Sequence, residues 1–449
     1  MASEIRTAVR WANVLGFPVF RDRMATSAYR VAEAHSSHAS GPWFGMLLCG
    51  GGGKPLAVFR NSPDGGRDRE ANILGFPYAE FTRAETNSPH SQQRHQYEQG
   101  NEQGTMRILS IGATGFVGKP TLEHLIQLGH EIIAFHRGER KPPAGSATEI
   151  HGDYRHLSEY RADLQSQAPD VVLHMTIANE RQATEFMNTL RGFARRAVML
   201  SSGDVYRAAG ILHGTEPGEP DNAPITEDAP LRTQPHAYPP ETIQMLQKVF
   251  PWTEPDYDKI PAERIVMGNP ELPGTVLRLP MVYGPSDPLH RFWPVVKRVA
   301  DGRTVIPIAE SIAQWRGPGG YVENVAAAIA RAVVDKRAAG RIYNIPEPDN
   351  LSELEWTRRI ADAAGFQGEI RVLPDEHTPA HLKPPGNYRQ HWPVDSSRVR
   401  RELGYEEPVS LAEALRRTIE WERANPPAVS IWRFDYAAED ACIAETART

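Results

Sequence analysis

Three glycines constrain the fold of this chain more than any other feature. They stand three residues apart, at Gly112, Gly115 and Gly118, directly after Arg107–Ile111, which is typical of a short buried strand. A helical pattern begins at once behind them, with apolar residues on one face at Leu122, Leu125 and Ile126. Gly129 is suited to end that helix, and Glu131–Phe135 is the next strand. The sequence therefore predicts a strand, a glycine turn, a helix and a second strand.

The chemistry of such a turn follows from sterics. Glycines allow a tight turn and let a pyrophosphate approach the free amides at the start of the helix. The turn is thus a predicted dinucleotide site. Its predicted contact residues are Gly112, Thr114, Gly115, Phe116, Val117 and Gly118.

The end of the second strand bears on the choice of dinucleotide. An acidic residue there would bind the ribose 2′-hydroxyl, but this chain continues with His136 and Arg137, followed by Arg140 and Lys141. A guanidinium can pair with a 2′-phosphate, so we expect NADP to be preferred to NAD, with Arg137 as its ligand. The alternative is that Arg137 and Arg140 are solvated loop charges.

Further motifs follow in a regular order. They are Gly152-Asp153, Val171–His174, Ser201–Tyr206, Lys259 with Ala262–Arg264, Leu277–Pro285 and Tyr321–Val325. With the glycine turn, they resemble the extended short-chain dehydrogenases/reductases of the NAD-dependent epimerase/dehydratase family, from Met106 to about Pro427. This resemblance implies that Asp153 contacts the adenine and that Lys259 orients the nicotinamide ribose.

Alternating strand and helix patterns along the same region independently indicate an α/β fold. We expect a doubly wound, Rossmann-type parallel sheet that binds its ligand at the carboxyl ends of the strands. The predicted domain spans residues 106–427, and a smaller substrate lobe is formed mainly by residues 207–255 and 284–427. The proline-rich segment 207–255 is expected to be irregular. Residues 428–449 are expected to form a C-terminal tail.

Residues 1–105 show no sustained helical or strand periodicity. We interpret them as a poorly structured N-terminal extension or linker. Met106 stands directly before the first convincing strand, so an upstream extension produced by a misassigned start codon is one explanation.

The expected catalytic residues depart from the family pattern. The family places a Tyr four residues before the Lys, where both share a helix face and the ammonium lowers the phenol pKa. Here that position is Pro255, and the nearest phenol, Tyr257, is only two residues before Lys259. The two would point about 200° apart on a continuous helix. A helix that starts late, capped by Asp258, would leave Tyr257 in a loop as the proton donor.

The hydroxyl partner of this tyrosine is displaced as well. The position that is usually a third serine is Gly203, so Ser202 or Ser201 is the candidate substitute, and Ser202 is our choice. Strand-end serines also commonly serve only as hydrogen-bonded supports of the backbone. Asp204, Tyr206 and Tyr283 are expected in the same crevice, where an alternative acid or base remains open and unassigned.

Substrate contacts typical of nucleotide-sugar epimerases are absent from their usual positions. The family's Asn and Arg that contact the diphosphate are replaced by Met281 and Gly319, although Arg316, Arg278 or Arg291 could supply a displaced cation. A UDP-sugar is therefore not the expected substrate. We expect an NAD(P)-dependent oxidoreductase or epimerase that acts on a hydroxyl or carbonyl carbon of a small molecule, such as a sugar derivative. The alternative is a catalytically lapsed dinucleotide-binding protein that serves as a sensor, a scaffold or an RNA-associated factor.

Composition limits the partners. The formal net charge of the 449 residues is −6, which gives no field that attracts nucleic acid. No apolar run approaches the length of a membrane span, and the two cysteines and scattered histidines form no metal-binding motif. We expect a cytoplasmic protein that binds a small-molecule substrate and no metal. A homodimer would be ordinary for the family.

Overall fold

The computed structural model describes residues 30–34, 45–49, 55–60, 104–146 and 148–446 of the chain. The chain divides into two units, residues 1–87 and 88–449, which we describe separately. In the described part, no helix is both long and apolar enough to cross a membrane.

The first unit contains three described strands, which the sequence did not predict. They are β1 (Arg30–Ala34), β2 (Gly45–Cys49) and β3 (Pro55–Arg60). The central strand β2 pairs antiparallel with both of the others. Most of the predicted low-order extension, residues 1–105, lies outside the described residues.

The second unit carries the predicted α/β pattern. Its strands are β4 (Arg107–Ile111), β5 (Glu131–His136), β6 (Thr148–His151), β7 (Val171–His174), β8 (Arg196–Ser202), β9 (Gly274–Leu279), β10 (Met281–Tyr283), β11 (Val305–Ala309), β12 (Gly319–Tyr321), β13 (Arg341–Asn344) and β14 (Glu369–Leu373).

Its helices lie between and after these strands. They are α1 (Gly118–Gln127), α2 (Arg161–Ser166), α3 (Glu180–Leu190), α4 (Arg207–His213), α5 (Pro240–Val249), α6 (Lys259–Met267), α7 (Trp293–Ala300), α8 (Glu310–Ala313), α9 (Val322–Val334), α10 (Glu353–Ala363), α11 (Ser397–Leu403), α12 (Leu411–Ala424) and α13 (Tyr436–Thr446).

Seven parallel strands form the central sheet, in the order β6-β5-β4-β7-β8-β9-β13. The strand order reverses between β4 and β7, so a crevice opens there at the carboxyl ends of the strands. This confirms the predicted Rossmann-type sheet. The glycine turn follows β4 and therefore lies at this reversal point.

Both faces of the sheet are covered because alternate side chains enter different cores. Ile108 of β4 lies in one core with Leu122 of α1, on the face that α9 also covers. The next residue, Leu109, lies in a second core with Phe186 of α3 and Val266 of α6. Strands buried on both faces read as continuous apolar runs, which explains the sequence of β4.

The segment 207–255 is more ordered than its proline content suggested. It begins with α4 and contains α5 near its end. Helix α5 starts at Pro240, where a fixed φ and a missing N–H cost a helix nothing. The proline-rich chain between the two helices forms no helix or strand. The expectation of an irregular segment is therefore wrong for α4 and α5.

The remaining strands and helices pack around the carboxyl-end crevice and beyond it. Strand β10 pairs with β12, and β11 pairs with β14, both in parallel. The region predicted as a C-terminal tail carries α13, whose Glu439 is buried and bonded to Arg298 Nη2 at 2.5 Å and His381 Nε2 at 2.9 Å. This ion pair fixes α13 to α7.

Gly118 tests the packing of the turn. A Cβ at this position would overlap the backbone of Ala113, whereas a Cβ on Gly115 would meet nothing within 4 Å. We expect Gly118→Ala to lower the free energy of unfolding by about 1–3 kcal/mol, as overpacking does. The matched variant Gly115→Ala should leave it unchanged. Urea denaturation of both variants measures this, and equal stabilities would contradict it.

Candidate active site

The glycine turn is shaped to receive a dinucleotide. Gly112 has φ of +72°, a conformation that other residues rarely adopt. Gly118 begins α1 directly against Ala113, and Val117 caps the helix without a side-chain bond. The first amides of α1 thus have no side-chain capping partner, while the amide of Lys119 donates to the carbonyl oxygen of Gly115 at 3.0 Å. An anionic pyrophosphate is the natural partner of such amides.

Two further observations fit a bound dinucleotide. The space beside Gly115 is open, as a close approach of the phosphates requires. Thr176, which follows β7 across the reversal point, is buried, and its hydroxyl oxygen has no hydrogen-bond partner among the described residues. Buried polar groups are normally hydrogen-bonded, so this oxygen marks a place for a polar ligand.

Arg137 follows directly after the carboxyl end of β5. Its side chain is about one-third exposed, and Nη2 is bonded to Glu139 Oε2 at 3.2 Å. This pair is weak because both groups are partly solvated. Arg137 can therefore turn toward a ligand at little cost, and the preference for NADP stays a prediction.

Beside Arg137, three residues bring potential metal ligands together at the ends of β5 and β6. The ligand atoms of His136, Glu149 and His151 lie within 4.8 Å of one another. However, the amide of Gly138 donates to His136 Nδ1 at 3.1 Å, so His136 Nε2 carries the proton and donates to Glu149 at 3.2 Å. A protonated Nε2 is not a metal ligand, and we assign no metal here.

Asp153 already has a protein partner. Its carboxylate caps the helical turn Tyr154–Tyr160 and accepts from the backbone and guanidinium of Arg155, at distances from 2.5 to 3.0 Å. Arg155 holds the pKa of this carboxyl below its usual value. The adenine contact implied by the family resemblance stays a prediction.

Helix α6 begins late, as the sequence suggested. Asp258 is its N-cap and accepts from the amide of Ile260 at 3.2 Å, so that Lys259 is its first residue and Tyr257 lies in the preceding loop. Lys259 is 2% exposed, and its ammonium donates to the carbonyl oxygens of Ile177 and Leu200. Burial lowers the pKa of Lys259 to about 8.

Tyr257 is buried, and its hydroxyl donates to Asp204 Oδ2 at 2.8 Å. A second phenol, Tyr238, donates to the same oxygen at 3.1 Å. Burial, the charge of Asp204 and the hydrogen bonds to it raise the pKa of both phenols well above the usual value. Asp204 is 1% exposed, and its other oxygen, Oδ1, has no hydrogen-bond partner among the described residues.

The two candidate serines have different surroundings. Ser201 donates to Glu263 at 2.5 Å, inside the buried ion pair between Glu263 and Arg278. Ser202, half-buried, accepts from the amide of Asp204 at 3.3 Å, and its hydroxyl offsets a small part of the rise in the pKa of Tyr257 that burial and Asp204 cause. The structure thus places Ser202 with Tyr257 and Asp204, and gives Ser201 a supporting position below them.

The side chain of Trp392 covers Gly203 and leaves little room for a larger residue there. A Cβ there would lie 3.2 Å from Cζ2 of Trp392, whose buried indole nitrogen has no hydrogen-bond partner among the described residues. His213 packs against the rings of Tyr238 and Trp392, and burial lowers its pKa to about 4. These aromatic residues pack together next to Gly203.

The arginines considered for a displaced diphosphate contact are engaged elsewhere. Arg278 pairs with Glu263 at 2.7 Å, and Arg291 donates to Asp287 and to the carbonyl of Val282. Arg316 is bonded to Glu355 at 3.0 Å and remains 43% exposed. Arg316 is therefore the most accessible of these three arginines.

Sequence reasoning missed Tyr238 and left Asp204 without a role. Tyr238 lies in the proline-rich segment, more than 30 residues from Asp204, and no local pattern joins the two. The signal that could have found Asp204 is its position at the end of a buried strand, between two serines and a tyrosine.

Comparison with known proteins agrees with this geometry. Residues 108–212 match the model of the NAD dependent epimerase/dehydratase family. Among curated relatives, the dTDP-glucose 4,6-dehydratase of Salmonella typhimurium is 24% identical over 71% of this chain and 93% of its own length. The protein named dTDP-glucose 4,6-dehydratase 1 of Escherichia coli is 23% identical, also over 71% of this chain and 93% of its own length. Residues 108–212 therefore carry an NAD-dependent epimerase/dehydratase domain, as the sequence predicted, and both relatives are similar to the chain over most of their length.

Solved structures share the fold. The Bordetella bronchiseptica enzyme WbmG, in complex with NAD and UDP, is 18% identical, with a TM-score of 0.53 over 72% of this chain and 96% of that one. UDP-glucuronic acid 4-epimerase from Bacillus cereus, in complex with UDP-glucuronic acid and NAD, is 18% identical. Its TM-score is 0.51, and the match covers 71% of this chain and 99% of that one.

Gly115 provides a test of the dinucleotide site. Gly115→Ala fills the open space beside the turn without touching the protein. Because a methyl group there would obstruct the close approach of a pyrophosphate, we expect NADH and NADPH affinities to fall at least about tenfold, which corresponds to about 1.4 kcal/mol. Fluorescence titration measures the affinities. Unchanged binding would show that the phosphates do not lie at Gly115.

Proposed function

We propose that this chain, which carries an NAD-dependent epimerase/dehydratase domain at residues 108–212, is an NAD(P)-dependent enzyme. It would act on a hydroxyl or carbonyl carbon of a sugar nucleotide. One observation carries this proposal: Tyr257, Ser202 and Lys259 come together beside the reversal point of the sheet, although their spacing departs from the family pattern. When bound, the nicotinamide supplies hydride transfer.

The chain would hold the cofactor along the crevice. The turn Gly112–Gly118 and the first amides of α1 would bind the pyrophosphate, Asp153 the adenine, and Arg137 the 2′-phosphate of NADP. Lys259 would orient the nicotinamide ribose. The open space at Gly115 and the unpartnered hydroxyl of Thr176 support this placement.

Tyr257 would move the proton at the substrate oxygen. It lies in a loop before α6, within hydrogen-bond distance of Asp204 and next to Ser202. Ser202 would help to hold the substrate oxygen. Burial excludes bulk water from this position and strengthens the hydrogen bonds there.

The sugar-nucleotide class is proposed from the relatives. Two named above are dTDP-glucose 4,6-dehydratases, and a solved neighbour holds UDP-glucuronic acid. Met281 and Gly319 replace the family's diphosphate contacts, so recognition of the diphosphate would rely on other groups, of which Arg316 is the most accessible arginine considered. The homodimer and the cytoplasmic location stay predictions.

Arg137 provides a test of the preference between cofactors. If it binds the 2′-phosphate, Arg137→Ala should weaken NADPH binding by about 1.5–3 kcal/mol, the range of a hydrogen bond to a charged group, and leave NADH binding unchanged. Arg140→Ala serves as the matched control in the same loop. Equal losses for NADPH and NADH, or tighter binding of NADH by the wild-type protein, would contradict the predicted preference.

Tyr257 provides a test of the activity. The full chain would be incubated with NAD or NADP and with dTDP-glucose, UDP-glucose or UDP-glucuronic acid, and conversion followed by NMR. We expect Tyr257→Phe to lower turnover by about 10²–10⁴-fold, the usual contribution of a positioned acid or base. Tyr343→Phe removes a phenol that is bonded to Glu402 at 3.0 Å elsewhere in the fold, and should not affect turnover.

Binding of the cofactor without turnover of any of these substrates, by the wild-type protein and the Tyr257→Phe variant alike, would favour the lapsed dinucleotide-binding protein. Turnover that survives in the Tyr257→Phe variant would leave the enzyme class standing and remove the tyrosine from the mechanism.

A further inference from the structure

The surroundings of Tyr257 do not favour a phenolate. In the family pattern, a lysine ammonium beside the phenol stabilises its charged form. Here Lys259 donates to two backbone carbonyls, and its nitrogen lies over the ring of Tyr257, 5.7 Å from the ring centre. The nearest charge to the hydroxyl is the carboxylate of Asp204, at 2.8 Å. The buried phenol beside this carboxylate therefore remains protonated.

We propose that Asp204 is the proton acceptor behind Tyr257, so that the phenol passes a proton on instead of becoming a phenolate. This inference rests on the proposed function. It assigns a role to a carboxylate that is almost completely buried, that accepts two phenol hydrogen bonds on Oδ2, and that has no partner on Oδ1 among the described residues.

The proton balance of this step is complete. As the substrate alcohol is oxidised, its carbon gives a hydride to the oxidised nicotinamide, and its hydroxyl proton goes to the oxygen of Tyr257. The original proton of Tyr257 passes along the 2.8 Å hydrogen bond to Asp204 Oδ2, which becomes a neutral carboxylic acid. In the reverse direction, reduction of the carbonyl, the same protons return. No charge is left on the phenol in either direction.

Tyr238 is a positioning residue in this arrangement. Its hydroxyl donates to the same oxygen of Asp204 at 3.1 Å and so holds the carboxylate in place. With Tyr238 and Tyr257 both donating to Oδ2, the carboxylate is oriented so that this oxygen faces the phenol that would pass on the proton.

Other charged and titratable groups surround this carboxylate. Arg232 donates to the backbone oxygen of Asp204 and pairs with Asp258, while Lys259 approaches from the start of α6. His213 packs at an angle against Tyr238, and because burial lowers its pKa to about 4, its ring is neutral at physiological pH. The charge of Arg291 offsets a small part of the rise in the pKa of Tyr238 that burial and Asp204 cause. Lys259, whose pKa burial lowers to about 8, titrates just above neutral pH.

Asp204→Asn is the decisive variant, because an amide oxygen still accepts from the two phenols but takes up no proton. We expect turnover to fall by about 100-fold or more, the lower limit for a lost proton acceptor. NADH and NADPH binding should stay unchanged in fluorescence titrations. Asp204→Glu should restore part of the turnover, and the control Tyr343→Phe should be unaffected. Turnover of Asp204→Asn equal to wild type would overturn the proposal and leave the proposed function standing.

Tyr238→Phe tests the same arrangement without removing the carboxylate. Without this donor, the carboxylate is held by Tyr257 alone, so kcat should fall by about tenfold while KM and the affinities for NADH and NADPH stay unchanged. A merely structural tyrosine would change KM and the cofactor affinities together with kcat. This variant decides the matter even if Asp204→Asn does not fold.

A measurement without cofactor or substrate tests the hydrogen bonds between the phenols and Asp204 independently of the proposed function. Alkaline titration of tyrosine absorbance should show phenols that ionise at lower pH in Asp204→Asn than in the wild-type protein, because a neighbouring negative charge is gone. Identical titrations would contradict the pairing itself. If the wild-type protein binds neither NADH nor NADPH and converts none of the three sugar nucleotides, the proposed function fails. The proposed proton transfer from Tyr257 to Asp204 then fails with it.

Discussion

The buried ion pair between Glu263 and Arg278 is the interaction on which the site depends. Arg278 lies on β9 and donates to both oxygens of Glu263, on α6, at 3.0 and 2.7 Å. Ser201 at the end of β8 donates to Glu263, and Tyr206 accepts from Arg278 at 2.8 Å. One pair therefore joins α6 to two strands and to the chain after β8. Removing one member of such a buried pair typically costs about 3–5 kcal/mol.

This network fixes where the displaced phenol can lie. Glu263 stands one helical turn after Lys259, so the start of α6 is held against the carboxyl ends of β7 and β8. Because Asp258 caps the helix just before Lys259, Tyr257 leaves the helix and meets Asp204 from the loop. A late helix start thus compensates for a spacing that would separate the two side chains on a continuous helix.

Three buried polar atoms that have no hydrogen-bond partner among the described residues belong to the candidate site. Thr176 lies beside the glycine turn, Asp204 beside Tyr257, and Trp392 against Gly203. Leaving such groups unsatisfied costs stability in the empty protein. Bound cofactor and substrate can supply the missing partners, so the same atoms that weaken the free fold would strengthen binding.

The sequence by itself determined the sheet, the glycine turn and the candidate residues Ser202, Tyr257 and Lys259, because these depend on local periodicity, sterics and the spacing of motifs. It also allowed the late start of α6, since Asp258 and Pro261 are local signals. Helices α4 and α5 were missed because proline content hid them. Only the tertiary structure decided that Tyr238 joins Tyr257 on Asp204, and that Ser201 supports the site from below. These contacts join residues far apart in the chain, and side-chain packing, which no local pattern encodes, sets their distances.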